Sequence, residues 1–183
     1  MPRIPTPADI AAAPADAQPL LEAVQKQLGS VPNLFRLTAT SPAALEGYLG
    51  LNGALAKGTL DGATRERIAV AVAQLNGCGY CLSAHTYLGK NLAKLDDAEL
   101  TANRASKSGD AKADAALQFA AKIVTARGAI SDADLNAVRD AGYTDAQLVE
   151  IVAHVGLNTL TNYINEVFQT VVDFPIVDIN LAD

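Results

Sequence analysis

The six residues Ile68-Ala-Val-Ala-Val-Ala73 are apolar in succession, inside a segment, Asp61 to Leu75, that reads as one helix. A helix apolar on nearly every side must lie in a core or an interface. The rest of the chain therefore has to supply elements that surround it. No long stretch alternates polar and apolar residues as a half-buried strand would, and Ala is abundant, so those elements read as further helices. Start and stop signals divide them. Pro19 to Leu28 carries Leu20, Leu21, Val24 and Leu28 at helical spacing and ends at Gly29. Ser41 followed by Pro42 opens a helix to about Lys57, before Gly58. After the Asn76-Gly77 break a helix is predicted from about Gly79 to Leu92. Asp96 with Glu99, Ser131 with Asp134, and Thr144 with Gln147 have the spacing of capping boxes, while Asp110 opens a helix that stops at Gly128. The last helix is predicted to run from Thr144 to near Asp173, before Pro175. The expected fold is an all-α, single-domain helical bundle over 1–183, with its core at about 20–173 and extended N- and C-terminal arms that pack on a neighbouring subunit.

The chain of 183 residues is half apolar and 19% charged, as expected of a folded protein with a substantial core. Its formal charge of −6 and the lack of any Lys/Arg run exclude nucleic acid as the main partner. Met1 to Leu20 lacks an apolar run behind a basic start, and no stretch has the length and apolarity of a membrane span, so a soluble, cytoplasmic protein is expected. In a reducing compartment, two cysteines three apart are catalytic or metal-binding more often than structural.

Those cysteines carry the chemistry. Cys78 falls at the start of a helix, where unpaired N–H groups and the positive dipole end lower a thiol pKa. Cys81 is one turn on, within disulfide reach. His85 is four residues after Cys81, on the same face, so its imidazole can take the Cys81 proton. Glu66 lies on the preceding helix and can orient His85 if the Asn76–Gly79 turn folds the two helices antiparallel. Helix-start position favours Cys78 as the reactive thiolate and His85 spacing favours Cys81; the assignment adopted is Cys81 as attacking thiol and Cys78 as the more exposed resolving thiol. A zinc site on Cys78, Cys81, His85 and Glu66 is the rival reading, but a second ligand pair at finger-like spacing is missing. A c-type haem is disfavoured because Leu82 follows Cys81. Glu150, His154, Asn158, Asn162 and Glu166, each four apart, form a slanted polar seam on the last helix, read as a boundary strip, with His154 or Asn158 at the rim of the active pocket as the functional alternative.

Glu, then Cys-x-x-Cys twelve residues on, then His four residues later, resembles the alkylhydroperoxidase D core of the carboxymuconolactone decarboxylase superfamily, above all its peroxidase-related branch. Val31-Pro-Asn-Leu-Phe-Arg36, Arg65-Glu66-Arg67, Asn76-Gly-Cys-Gly-Tyr-Cys81, Ala84-His85, Ile151-Val-Ala-His154 and Asn158-Thr-Leu-Thr-Asn162 are similar to that branch as well. The resemblance implies an all-helical fold, a homo-oligomer (trimer or hexamer), and reduction of a hydroperoxide substrate through a dithiol/disulfide cycle, with no haem or flavin cofactor. A thiol reductant, a lipoamide-like dithiol or a redox protein, would restore the enzyme. One departure stands out: the family histidine before the second cysteine is Tyr80 here, so a proton relay is shortened or Tyr80 replaces it. A dithiol-exchange or redox-sensing module is the reading from a different class. A lactone decarboxylase is a poorer one, because that branch lacks the cysteine pair.

Overall fold

The computed structural model describes residues 2–180. The apolar helix predicted from the sequence is α4 (Gly62–Leu75), and it is the hub of the molecule. Around it pack α5 (Gly79–Asn91), α6 (Asp97–Arg104), α7 (Ala111–Thr125) and α9 (Asp145–Phe168). The short α8 (Asp132–Asp140) leans on α7, while α1 (Gln18–Leu28), α2 (Asn33–Thr38) and α3 (Pro42–Leu55) form the N-terminal layer behind a single 3-10 turn at Ala15–Ala17. The fold is all-α, with no strand among the described residues.

The run on α4 is apolar all round because it feeds two cores. Ile68, Ala71 and Val72 join Leu117, Ile151 and Val155 of α7 and α9. Val70 and Ala73 face the other way, into a cluster with Cys78, Tyr80, Cys81, Leu82 and Leu100. Each fully buried Val or Ile side chain contributes about 1.5–3 kcal/mol relative to exposure. The α4 run is thus consumed within its own chain and is not an interface.

The predicted starts are in place: Ser41, Asp61, Asp96, Asp110, Ser131 and Thr144 each accept a backbone N–H of the first turn of their helix. Ser131/Asp134 and Thr144/Gln147 are reciprocal capping boxes. Asp96/Glu99 is not, because Glu99 turns away to Arg67, Asn103, Ser108 and Gly109. Two other expectations are corrected. Asn33–Thr38, unassigned in the sequence reading, forms α2. The last helix stops at Phe168, short of Asp173, because Gln169 takes a left-handed conformation with φ 52°.

Beyond Gln169 the chain folds back as an arm. Val172, Phe174, Val177 and Ile179 pack on the cysteine-containing cluster. Asn33 N–H donates to Asp173 at 2.8 Å, and Arg104 and Gln74 hold the carbonyls of Asp178 and Ile179. At the other end Arg3 N–H donates to Phe168 O at 2.8 Å. Both arms therefore pack on their own chain.

Candidate active site

Two helices and the turn between them build the site. Helix α4 ends in a Schellman motif: Gly77 N–H bonds Gln74 O at 3.2 Å and Cys78 N–H bonds Ala73 O at 2.9 Å, with Gly77 at φ 69°. Only glycine adopts that φ without strain. The motif ends one helix and places Cys78 as the N-cap of the next, so α5 returns against α4. Cys81 N–H then donates to Cys78 Sγ at 3.4 Å.

The fold brings Glu66 and His85 together: His85 Nδ1 and Glu66 Oε2 are 2.9 Å apart. This gives the Glu66 carboxylate the partner its apolar helix demands. Burial pushes the His85 pKa down, but the charge and hydrogen bond of Glu66, with the Cys81 sulfur, outweigh it and raise it. With Nδ1 committed to Glu66, Nε2 is the ring nitrogen left for proton transfer. The two side chains keep 23% and 25% exposure, and Glu66 lines a surface depression of about 360 Å³ with Gly62, Ala63, Arg65, Leu92 and Ala93.

The sulfurs lie deeper. Cys78 is 0% and Cys81 2% exposed, so Cys78 is not the more exposed thiol expected from the sequence. Both are free thiols. The environment splits them: a hydrogen bond from Cys78, the charge of His85 and the amides of Asn165 and Asn162 lower the Cys81 pKa against the opposing effect of burial. Cys78 is raised, because it donates that bond and is buried. The dipole and N–H advantage of a helix start is therefore outweighed by direct contacts to Cys81.

Asn165 was missed by the sequence reading. It donates from Nδ2 to Cys81 Sγ at 3.1 Å, both groups buried. No local signal could have found it, since the contact spans 84 residues. Tyr48 of α3 is a second such residue: burial, with the negative charges of Cys81 and Glu66, pushes its pKa up. Tyr80, offered as a relay, is instead a clamp. Its hydroxyl accepts from Leu34 N–H at 3.1 Å and donates to Asp173 at 2.8 Å, and its ring meets Phe174 edge-on.

The polar seam of α9 divides along its slant. Glu150 accepts from the N–H groups of Thr59 and Leu60 and fixes the turn before α4. His154, Asn158 and Asn162 are buried. Burial and the Arg65 charge lower the His154 pKa against the opposing charges of Glu150 and Glu66. Among the described residues no group of three or more His, Cys, Asp or Glu side chains is placed to hold a metal ion.

Comparison with known proteins agrees with this architecture. The family model described as the carboxymuconolactone decarboxylase family matches residues 42–122, which include α3 to α6 and most of α7. No curated protein matches the sequence. Among solved structures, an uncharacterized peroxidase-related protein from Ralstonia eutropha JMP134, described as an alkylhydroperoxidase AhpD core, superposes with a TM-score of 0.84 at 28% identity, over 94% of this chain and 92% of that one. A peroxidase-related protein from Silicibacter sp. TM1040 superposes with a TM-score of 0.78 at 30% identity, over 93% of both chains. The debrominase Bmp8, solved with 2,3,4-tribromopyrrole, shares the fold at a TM-score of 0.77 and 18% identity, over 94% of both chains. With near-complete overlap on a 30% identical relative and the family model across its central helices, the chain belongs to the carboxymuconolactone decarboxylase family and has the AhpD-like fold.

Proposed function

We propose that the protein is a thiol-dependent peroxidase that reduces hydroperoxides through Cys81 and Cys78. The observation that carries this reading is a buried sulfur, Cys81, whose thiolate is favoured by its neighbours, next to a His85–Glu66 pair and within reach of a second thiol. The peroxidase-related descriptions of the Ralstonia and Silicibacter proteins support it.

The chemistry follows from the contacts. His85 takes the Cys81 proton, and Glu66 stabilises the imidazolium. The Cys81 thiolate attacks the terminal oxygen of ROOH. The S–O bond forms, the O–O bond breaks, and the departing RO⁻ takes the proton back from His85 to leave as ROH. Cys81 is then a sulfenic acid. Cys78 attacks that sulfur, water leaves, and a Cys78–Cys81 disulfide remains. A dithiol reductant restores both thiols by exchange. With Cys78 fully buried, a slender lipoamide-like dithiol suits the site better than a protein surface.

The assignment of roles is tested by trapping. Cys78→Ser should consume one equivalent of tert-butyl hydroperoxide and stall with sulfenic acid on Cys81, detected by mass spectrometry as an added oxygen. Cys81→Ser should not react. Sulfenic acid forming on Cys78 in Cys81→Ser would reverse the order of the two cysteines.

A further inference from the structure

Two carboxamides of α9, one turn apart, stand over Cys81. Asn165 gives its Nδ2 to Cys81 Sγ at 3.1 Å, and its Oδ1 is buried with no hydrogen-bond partner among the described residues. Asn162, 0% exposed, uses its Oδ1 to accept from Asn76 Nδ2 at 2.9 Å. Its Nδ2 is likewise buried without a partner among the described residues. Residues at i and i+3 share a helix face, so the free donor and the free acceptor lie on the same side of α9. The 3.1 Å contact of Asn165 with Cys81 Sγ puts that side against the reactive sulfur.

Buried polar groups are nearly always paired, because an unmade hydrogen bond in a dry interior is expensive. An unpaired donor and an unpaired acceptor beside one sulfur suit a ligand that offers one of each. A hydroperoxide group does so: its terminal O–H donates, and its inner oxygen accepts. Charge also develops on that inner oxygen as the O–O bond breaks, and a preplaced N–H is most effective where charge develops.

The geometry points to Asn162 and Asn165 as the oxygen-binding subsite of the reaction: Asn165 Oδ1 receives the terminal O–H of the peroxide, Asn165 Nδ2 holds the Cys81 sulfur, and Asn162 Nδ2 donates to the oxygen that departs. This rests on the thiol-peroxidase reading and assigns that site two catalytic residues beyond the Cys–His–Glu set. Bonds and electrons balance as before: the thiolate pair forms S–O, the O–O pair leaves on RO⁻, and the His85 imidazolium supplies the proton. The amides supply hydrogen bonds only.

The test compares two reactions of the same sulfur. Reduced full-length protein is treated with tert-butyl hydroperoxide or with iodoacetamide across pH. Alkylation needs the thiolate but no donor to a departing oxygen. At a pH where Cys81 is fully ionised, Asn162→Ala should alkylate at the wild-type rate yet react with the hydroperoxide about 10²-fold more slowly. Asn165→Ala should show the same selective loss, and in both variants the midpoint of the alkylation profile should move to higher pH. Asn162→Asp keeps the oxygen that Asn76 needs and lacks the N–H; compared at full ionisation it should show the same loss, and it replaces Asn162→Ala should that variant lose its helicity. Parallel falls in both reactions, or unchanged hydroperoxide rates in both Asn162 variants, would overturn the subsite while leaving the peroxidase reading intact. Wild-type protein that alkylates but is inert to the hydroperoxide would overturn both.

Discussion

His85 meets Glu66 through Nδ1 at 2.9 Å, which leaves Nε2 for the proton transfer proposed with Cys81. Because the folded His85 pKa is raised, the imidazolium–carboxylate pair is fully present below the unfolded value near 6.5 and is lost as pH rises through the folded value. Removing the base as His85→Ala should leave both thiols in place but return Cys81 toward the ~8.5 of a free thiol. The reaction with peroxide at pH 7 should fall roughly 10²–10⁴-fold and recover in part at higher pH. Stopped-flow rates from pH 5 to 10 check this, and Glu66→Gln should give a milder version. Wild-type speed in His85→Ala at pH 7 would refute the role. Tyr80 makes the opposite prediction. Its hydroxyl bridges Leu34 and Asp173, so Tyr80→Phe should lower stability by roughly 1–3 kcal/mol in urea unfolding while the peroxide rate stays within a few-fold of wild type. A collapse of the rate at unchanged stability would restore Tyr80 as a relay.

At the scale of elements, Glu99 ties α6 to α4 and to the turn before α7. It is 2.7 Å from Arg67 and accepts from Asn103, Ser108 and Gly109, and these contacts outweigh burial and hold its pKa at about 2. A depressed carboxylate stabilises the fold above its unfolded pKa and loses that contribution as pH falls through the folded one. Glu99→Gln should therefore cost about 1–3 kcal/mol at pH 7, and the gap from wild type should close between pH 5 and 2 in denaturant titrations. A constant gap over that range would show that packing, not charge, is lost. These elements also show what could be read in the chain. The capped starts and the α4 run were legible because caps and periodicity are local. The same locality made Glu66, Cys78, Cys81 and His85 legible, since two consecutive helices and one tight turn carry all four. Where contacts are distant, the reading stopped. Asn165 reaches Cys81 only through the packing of α9 on α5, Glu99 left its capping box for a partner 32 residues away, and the helical pattern ran on to near Asp173 although Gln169 had already turned the chain.

For the whole molecule, the outer face of α9 remains to be covered. Val149, Val152, Leu160, Tyr163 and Val167 are exposed along it at helical spacing. With α4 consumed inside, this strip is the surface on which a symmetric homo-oligomer is expected to assemble. Light scattering over a wide concentration range should show an oligomer, and Val152→Glu with Tyr163→Glu should dissociate it; a wild-type monomer throughout would contradict this. A two-thiol peroxidase cycle on Cys81 and Cys78 consumes both thiols for each hydroperoxide, so counting thiols decides whether the cycle runs. Reduced wild-type protein is mixed with one equivalent of tert-butyl hydroperoxide, and free thiols and intact mass are followed in time. Both thiols should be lost rapidly per equivalent, the mass should fall by two hydrogens from a Cys78–Cys81 disulfide, and both thiols should return on adding reduced lipoamide. Two thiols that persist in the presence of the hydroperoxide, while the same protein still exchanges with oxidised lipoamide, would contradict it and leave a disulfide-exchange module.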